Sequence, residues 1–467
     1  RAATTLHSFY LQGAYYGNST SVRLIAFGGK EQTYHAWNYA TKEEMELYGR
    51  RYNSCGYMFT DSTGTDHYYD DQTDNYTQTN LQLLIDHSFT ESLNLNVGLH
   101  YTKGDGYYQE YKGGRKFKEY ALPTIIIDGE EIKKSDLVRK KAMDNHFGGA
   151  VFALTFKNEK ITAVAGGGAN RYFGDHFGHV LWVKNYSGEL QPNHEYYRNN
   201  GAKNDANIYL KADYRIADDL NIYADMQYRH IGYTIKGCND KWNDATGALQ
   251  RLDVDESFDF VNPKAGLSWQ IDSRNRLFGS ISVAHKEPTR NNFTDIRKGE
   301  YPRAEKMLDI EAGYTFATER IDVAVNLYYM LYHNQLVATG MVNDGDDALN
   351  VNVDKSYRRG VEVVATWKTA KWLTLSGNVT LSQNRIQDYV DELRDSPTYG
   401  QNLGDMTISY SPSVMGALMA DFHIKGFGLI WNTQYVGKQY FTNNEIEALS
   451  LDAYCVTNLD LGYTHKL

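Results

Sequence analysis

The sequence predicts an all-β protein, a large antiparallel β-barrel that crosses a membrane with its strands. Three observations carry that prediction. Apolar and polar residues alternate with period two from one end of the chain to the other. Short polar turns alternate with long Gly- and Tyr-rich connections. No stretch approaches the roughly 18–20 apolar residues that a spanning helix needs. Mean hydropathy is −0.57, which a barrel permits, because each strand averages lipid-facing against lumen-facing side chains.

Strand-like text runs through residues 6–16, 93–101, 208–216, 220–228, 321–331, 373–382 and 449–467. In the fourth of these, Leu220, Ile222, Ala224, Met226 and Tyr228 share one face. Asn221, Tyr223, Asp225, Gln227 and Arg229 share the other. A helical period would scatter the same apolar residues around a cylinder. Lipid is expected on the faces of Val97, Met226 and Leu327, and the lumen on those of Asp225 and Asn326. Short turns are predicted at 16–20, 90–92, 157–160, 217–219, 272–275, 317–320, 369–371 and 423–426. Long external loops are predicted at 32–76, 105–141, 173–201, 238–256, 288–301, 339–349, 388–405 and 441–447. Short turns on one side and long loops on the other are the outer-membrane pattern, with the turns periplasmic. The count is about seventeen strands, whereas single-chain bacterial barrels have even numbers. Together with strand-like text at both ends, this suggests a partial barrel.

Composition narrows the function. A net charge of −10 with interspersed signs lacks the basic stripe of a nucleic-acid binder. The 38 tyrosines suit interfacial girdles, as do Tyr15, Tyr16, Tyr107, Tyr108, Trp182, Trp269, Trp367 and Trp372 near strand ends. Cys55, Cys238 and Cys455 form no CxxC pair, and a Cys55–Cys238 bridge is left open. No HExxH, Walker A or GxSxG pattern occurs. No catalytic residue and no cofactor are therefore expected.

An ordered series of segments carries a family resemblance. They are Phe27-Gly28-Gly29-Lys30-Glu31, Thr33-Tyr34-His35-Ala36-Trp37, Gln72-Thr73-Asp74-Asn75-Tyr76 and Gly174-Asp175-His176-Phe177-Gly178-His179. Further along come Asn262-Pro263-Lys264-Ala265-Gly266-Leu267, 285–293, 305–314, 332–337 and 356–362. The series resembles the TonB-dependent transporters, in the branch common in Bacteroidetes. The resemblance implies a 22-stranded barrel around an N-terminal plug that this chain does not include. It also implies active import of a scarce metal chelate, an iron-siderophore or haem, energised by TonB. Cobalamin import and a passive porin-type channel are the alternatives. Outer-membrane lipid is an implied partner, and there is room for a surface lipoprotein.

The candidate sites follow from residue chemistry. His176 and His179, three apart beside Asp175, could grip a transition metal or its chelate, or could be solvated loop residues. Tyr68-Tyr69 and Tyr196-Tyr197 could line a pocket mouth, since tyrosine offers an apolar face with a polar tip. Asp66, Asp70, Asp71 and Asp74 lack EF-hand spacing and read as solvated charge. Glu287, Arg290, Glu305, Glu311, Arg358, Arg359 and Glu362 fall on or beside strands, where a lipid-facing Arg or Lys costs ~2–4 kcal/mol at the midplane. They are expected to face the lumen and the plug.

Overall fold

A strand in hydrocarbon must satisfy every backbone N–H and C=O within the protein, and long, continuously paired strands do this. The computed structural model describes residues 2–184, 186, 190, 193–295, 301–342 and 348–465. Residues 185, 187–189 and 191–192 of the predicted loop 173–201 lie outside the described residues, as do 296–300 of loop 288–301, 343–347 of loop 339–349, and 466–467. Seventeen strands of ten or more residues are present among the described residues. They are β1 Thr4–Tyr16, β2 Thr20–Tyr34, β3 Thr73–Thr90, β4 Leu93–Lys116, β5 Lys134–Lys157, β6 Ile161–Val183, β7 His194–Ala217, β8 Leu220–Asn243 and β9 Ala248–Gln270. They continue with β10 Asn275–Lys286, β11 Glu305–Ala317, β12 Ile321–Val342, β13 Ala348–Ala370, β14 Leu373–Ile386, β15 Val414–Ile424, β16 Phe427–Val436 and β17 Tyr454–Tyr463. With the two-residue strand Met406–Thr407 they belong to one 18-stranded sheet.

The chain forms two compact units. The first comprises Arg1–Thr155, Gly166–Ile208 and Arg229–Asp259. In it β1 to β4 pair antiparallel in chain order. Their register aligns apolar rungs: Tyr15–Val22–Ile85–Val97, Gly13–Leu24–Leu83–Leu99 and Leu11–Ala26–Leu81–Tyr101. The opposite face carries Gln12–Ile25–Gln82–His100 and Tyr16–Ser21–Asp86–Asn96.

The second unit comprises Phe156–Ala165, Tyr209–Tyr228 and Phe260–Leu467. Here β9 to β17 pair antiparallel in chain order. One rung runs Trp269–Leu277–Tyr314–Val325–Val363–Val379–Gly416–Tyr435. Its neighbour on the other face is Ser268–Phe278–Gly313–Asn326–Glu362–Thr380. The expected alternation is thus realised, with Val97 and Leu327 on apolar faces and Asn326 on a polar one. Along β8, Ile222, Ala224, Met226 and Tyr228 are exposed while Tyr223, Asp225, Gln227 and Arg229 are partly buried, which puts Met226 on the apolar side as expected and Asp225 on the other.

The predicted turns fall where strands end: β1 stops at Tyr16 and β2 begins at Thr20, and β5 stops at Lys157 and β6 begins at Ile161. The long loops are corrected. Most of 105–141, 173–201 and 238–256 is strand, extending β4 to β9 to 23 or 24 residues each. Crossing hydrocarbon takes roughly 9–11 residues. Beyond it both faces meet water or protein, and the apolar–polar alternation that marks a strand in sequence disappears. Cys55 is buried, Cys238 and Cys455 are exposed, and all three thiols are free, so Cys55 and Cys238 do not bridge.

Adjacent residues of β13 test the assignment of faces. Val363→Arg should destabilise the protein by ~2–4 kcal/mol in lipid. Val364→Arg, on the polar face opposite Asn378, should cost well under half of that, as read from denaturant unfolding in vesicles.

Candidate functional site

In the first unit, the segment between β2 and β3 folds back over the far end of β4. Its helix α1, Lys42–Tyr48, lies inside the predicted loop 32–76 and starts at a capping box. The Thr41 amide donates to Glu44 at 2.8 Å, and the Glu44 amide donates to Thr41 Oγ1 at 3.1 Å. The helix ends at Gly49, whose φ of 84° favours glycine. It sets Tyr48 in a stack on Tyr52, ring centroids 4.6 Å apart. Beside this pair, Tyr57 meets Tyr68 edge-on at 5.7 Å. Trp37 stacks on the buried His35 at 3.6 Å and meets Tyr108 edge-on at 5.3 Å. Trp37, Tyr48, Tyr52, Tyr57 and Tyr68, with Asn38, Asp66, Glu110, Tyr111 and Lys112, line a cleft of about 400 Å³. Its size is that of a small-molecule site, and its lining, though rich in aromatic rings, is more polar than apolar.

The cleft rests on charges set by β4 and β5. Glu110 and Arg139 are 3% and 6% exposed. Arg139 donates from Nε to Glu110 Oε1 at 2.7 Å, its Nη2 is also 2.7 Å from that oxygen, and Nη1 reaches the Tyr120 hydroxyl at 3.4 Å. Lys112 Nζ lies 3.1 Å from Glu110 Oε2. Burial opposes ionisation of Glu110, but Arg139 and Lys112 outweigh it and hold the carboxyl below its ordinary value. A second pair, Lys141 to Asp240 at 2.6 Å, lies beside Tyr108. Burial lowers His35 to about 4, so it is neutral at pH 7.

Tyr68 is thus on the cleft wall. Tyr69 is turned to structure: its hydroxyl accepts from Gln109, and its carbonyl accepts from Tyr34 at 3.1 Å. Tyr196 and Tyr197 are each 6% exposed and pack with Phe117, Tyr120, Leu122, Ile125, Leu137, Val180 and Val183. They are core, not a pocket mouth. A Cβ on Gly178 would overlap both rings, which accounts for the glycine between the two histidines. His176 and His179 belong to β6, not to a loop, and are three positions apart, an odd offset, so they point to opposite faces. They do not converge on one metal; His179 instead lies 3.6 Å from Glu195. Among the described residues no group of three or more His, Cys, Asp or Glu is placed to hold a metal ion. Glu110, Arg139, Lys141 and Asp240 went unnoticed in the sequence. Their common signal was the same-parity pairs Tyr108/Glu110 and Arg139/Lys141 inside text read as loop.

In the second unit, Glu305, Glu311, Arg358 and Glu362 share the polar face, opposite Lys286, Tyr328, Asn384 and Asn326 respectively. Arg359 is corrected: it pairs with Tyr329 and Gln383 and lies on the apolar-row face. Two adjacent residues of a strand cannot face the same side. Glu287 follows β10, and Arg290 opens the short helix α2, Arg290–Thr294.

Against known proteins, the model of a family described as TonB dependent receptor-like, beta-barrel matches residues 14–467. Among solved structures, the chain is similar to the ferric-catecholate import receptor Fiu from E. coli K12. Identity is 13% and the TM-score 0.64, over 100% of this chain and 69% of that one. The ferric citrate transporter FecA matches at 11% identity and TM-score 0.70, over 100% of this chain and 63% of that one. The copper transporter OprC matches at 10% and 0.70, over 100% and 64%. The chain therefore spans about two thirds of the length of these structures, and at such identities the likeness is one of fold.

Glu110→Ala should leave the Arg139 charge buried and unpaired, costing ~3–5 kcal/mol, read as lost hydrogen-exchange protection around Leu137 and Tyr120. Because the folded-state value of Glu110 is depressed, the wild-type contribution is complete above the unfolded value near ~4.3. It should be lost as pH falls through the folded value, and Glu110→Gln should remove that acid dependence.

Proposed function

This chain belongs to the TonB-dependent receptor β-barrel family, and from that premise we propose that it forms the wall of an outer-membrane receptor importing an iron-siderophore. The family is one of receptors, not enzymes, and its barrels lie in the outer membrane. In the intact protein, a plug would fill the lumen, and TonB would supply the energy through it. Glu305, Glu311, Arg358 and Glu362 would then meet the plug.

The observation that carries the cargo assignment is the cleft of Trp37, Tyr48, Tyr52, Tyr57 and Tyr68 over the Glu110–Lys112 pair. Aromatic faces and single polar groups recognise the organic shell of a chelate. A bare hard cation would need several oxygens converging at bonding distance. Nearby acids are engaged locally, as Asp66 is by the Thr60 hydroxyl at 2.7 Å. Fold alone does not set cargo, since ferric catecholate, ferric citrate and copper appear in the names of the similar structures.

Trp37→Ala and Tyr68→Ala in the full-length protein should each weaken ferric-chelate binding, by ~0.5–1.5 kcal/mol per aromatic contact, about three- to tenfold in Kd. Growth on that chelate as sole iron source should slow accordingly. Unchanged Kd in the double variant would remove the cleft from the pathway. A growth defect confined to limiting cobalamin would transfer the cargo assignment to cobalamin. Epitope tags within 42–64 should be accessible on intact cells, and tags at 157–160 should not.

A further inference from the structure

The cleft of the first unit is unevenly charged along its lining. The two short strands Tyr57–Thr60 and Asp66–Tyr68 pair antiparallel, with Tyr57 opposite Tyr68 and Thr60 opposite Asp66. The Tyr57 hydroxyl lies 2.8 Å from Thr60 Oγ1, which in turn donates to Asp66 Oδ1 at 2.7 Å. A hydroxyl has one proton to donate, so Tyr57 is the donor in the first of these contacts. The chain of donors ends on an exposed carboxylate. Among the described residues nothing donates to the other oxygen of Asp66, and no Lys, Arg or His forms an ion pair with it.

Four ring faces share the cleft with that carboxylate. Tyr48 and Tyr52 are stacked with an interplanar angle of 20°, whereas Tyr57 and Tyr68 meet at 76°, which gives the cleft ring surfaces of more than one orientation. The face of an aromatic ring is the negative part of its quadrupole. Burial raises the Tyr52 hydroxyl above its ordinary value, and Glu44 raises it further, with Asp66 also contributing. This part of the lining is therefore negative in potential. The balance reverses beside Trp37. Lys112 is the one cation among the described lining residues, and it shares the Glu110 carboxylate with Arg139. Two cations on one carboxylate leave a positive remainder there, and both Glu110 and Lys112 act on His35, which stacks on Trp37.

We infer that Tyr48, Tyr52, Tyr57, Tyr68 and Asp66 bind a substituted ammonium group, so that the cargo this cleft prefers is a chelate whose organic shell carries an amine. Ring faces attract an organic cation that sheds water readily, and the open oxygen of Asp66 accepts its N–H or faces its charge. A bare metal ion would need several converging oxygens in place of the rings. The preference among chelates rests on the import reading above, but the cation site itself does not.

The test uses the full-length protein in non-ionic detergent, with calorimetric binding as the readout and two matched pairs of probes. The first pair is choline and 3,3-dimethyl-1-butanol, which share a shape and differ in charge. The second is a ferric trihydroxamate with a terminal amine and the same chelate with that amine acetylated. Choline should bind and the neutral alcohol should not at the same concentration, and added salt should weaken choline binding. Acetylation should raise the Kd of the chelate about tenfold, as the loss of one desolvated cation–π contact implies. Asp66→Asn keeps the oxygen that Thr60 donates to, and should weaken choline and the amine-bearing chelate by a similar factor while leaving the acetylated chelate unchanged. Tyr52→Leu should lose choline binding, and Tyr52→Phe should restore it, since the ring face and not the hydroxyl is used. The inference is overturned if the alcohol binds as tightly as choline, if acetylation leaves Kd unchanged, or if Asp66→Asn binds choline like the wild type. Choline bound in an Asp66-dependent way by a protein that takes neither chelate would uphold the cation site and sink the import reading alone. Chelates bound regardless of their charge would do the reverse.

Discussion

In hydrocarbon an unpaired backbone amide or carbonyl has no water to turn to, and each costs several kcal/mol. That penalty forces continuous antiparallel pairing, and continuous pairing fixes the register. Once the register is fixed, each side chain is assigned to one of two faces, because a slip by one residue would exchange them all. The rung Trp269–Leu277–Tyr314–Val325–Val363–Val379 and its neighbour Phe278–Gly313–Asn326–Glu362–Thr380 show the result. Within the second unit, whatever recognises lipid and whatever faces the polar side are set by this one constraint.

Beyond the hydrocarbon the constraint relaxes, and other forces organise the chain. In the first unit, the 3-10 turn Phe117–Tyr120 and the Tyr196–Tyr197 pair build a small apolar core on the far ends of β5 to β7. Arg139 and Glu110 are carried beside it as a desolvated, hydrogen-bonded pair. In the second unit, Asp391 is fully buried and accepts from Thr398 at 2.7 Å and from the Leu393 amide at 3.0 Å. The Asn444 side chain donates to both of its oxygens, at 3.2 and 3.1 Å. These are buried polar networks with their groups satisfied, the condition under which they rigidify a loop. Each unit thus replaces lipid with its own packing above the membrane level.

What was legible in the sequence follows the same division. The turns at 90–92, 157–160 and 317–320 and the faces of Val97, Met226 and Leu327 could be read because lipid on one side imposes a contrast between neighbours. The upper halves of β4 to β9 were read as loops, since Tyr107, Tyr108, Glu110 and Lys112 show no such contrast. That error carried His176 and His179 into a loop where they could converge; as strand residues three apart they cannot. Charge alone puts Arg358 and Arg359 on one face, and strand parity separates them. Of the cleft, Tyr68 is legible as an aromatic candidate and Trp37 lies in the segment Thr33-Tyr34-His35-Ala36-Trp37, whereas helix α1 falls inside a predicted loop. The packing of Trp37 on His35, and the meeting of Glu110 with Arg139 across 29 residues of sequence, depend on tertiary pairing that local pattern does not encode.

The central assignment is that metal reaches this protein inside an organic shell, held by rings and not by protein ligands. Crystals of the full-length protein grown with a ferric chelate, measured at the iron absorption edge, locate the metal directly. One anomalous peak is expected in the cleft between Trp37 and Tyr68, with chelate atoms, and no side-chain atom of the protein, at bonding distance. An iron coordinated by protein side chains, or chelate bound in the crystal with no peak near the cleft, would contradict the assignment.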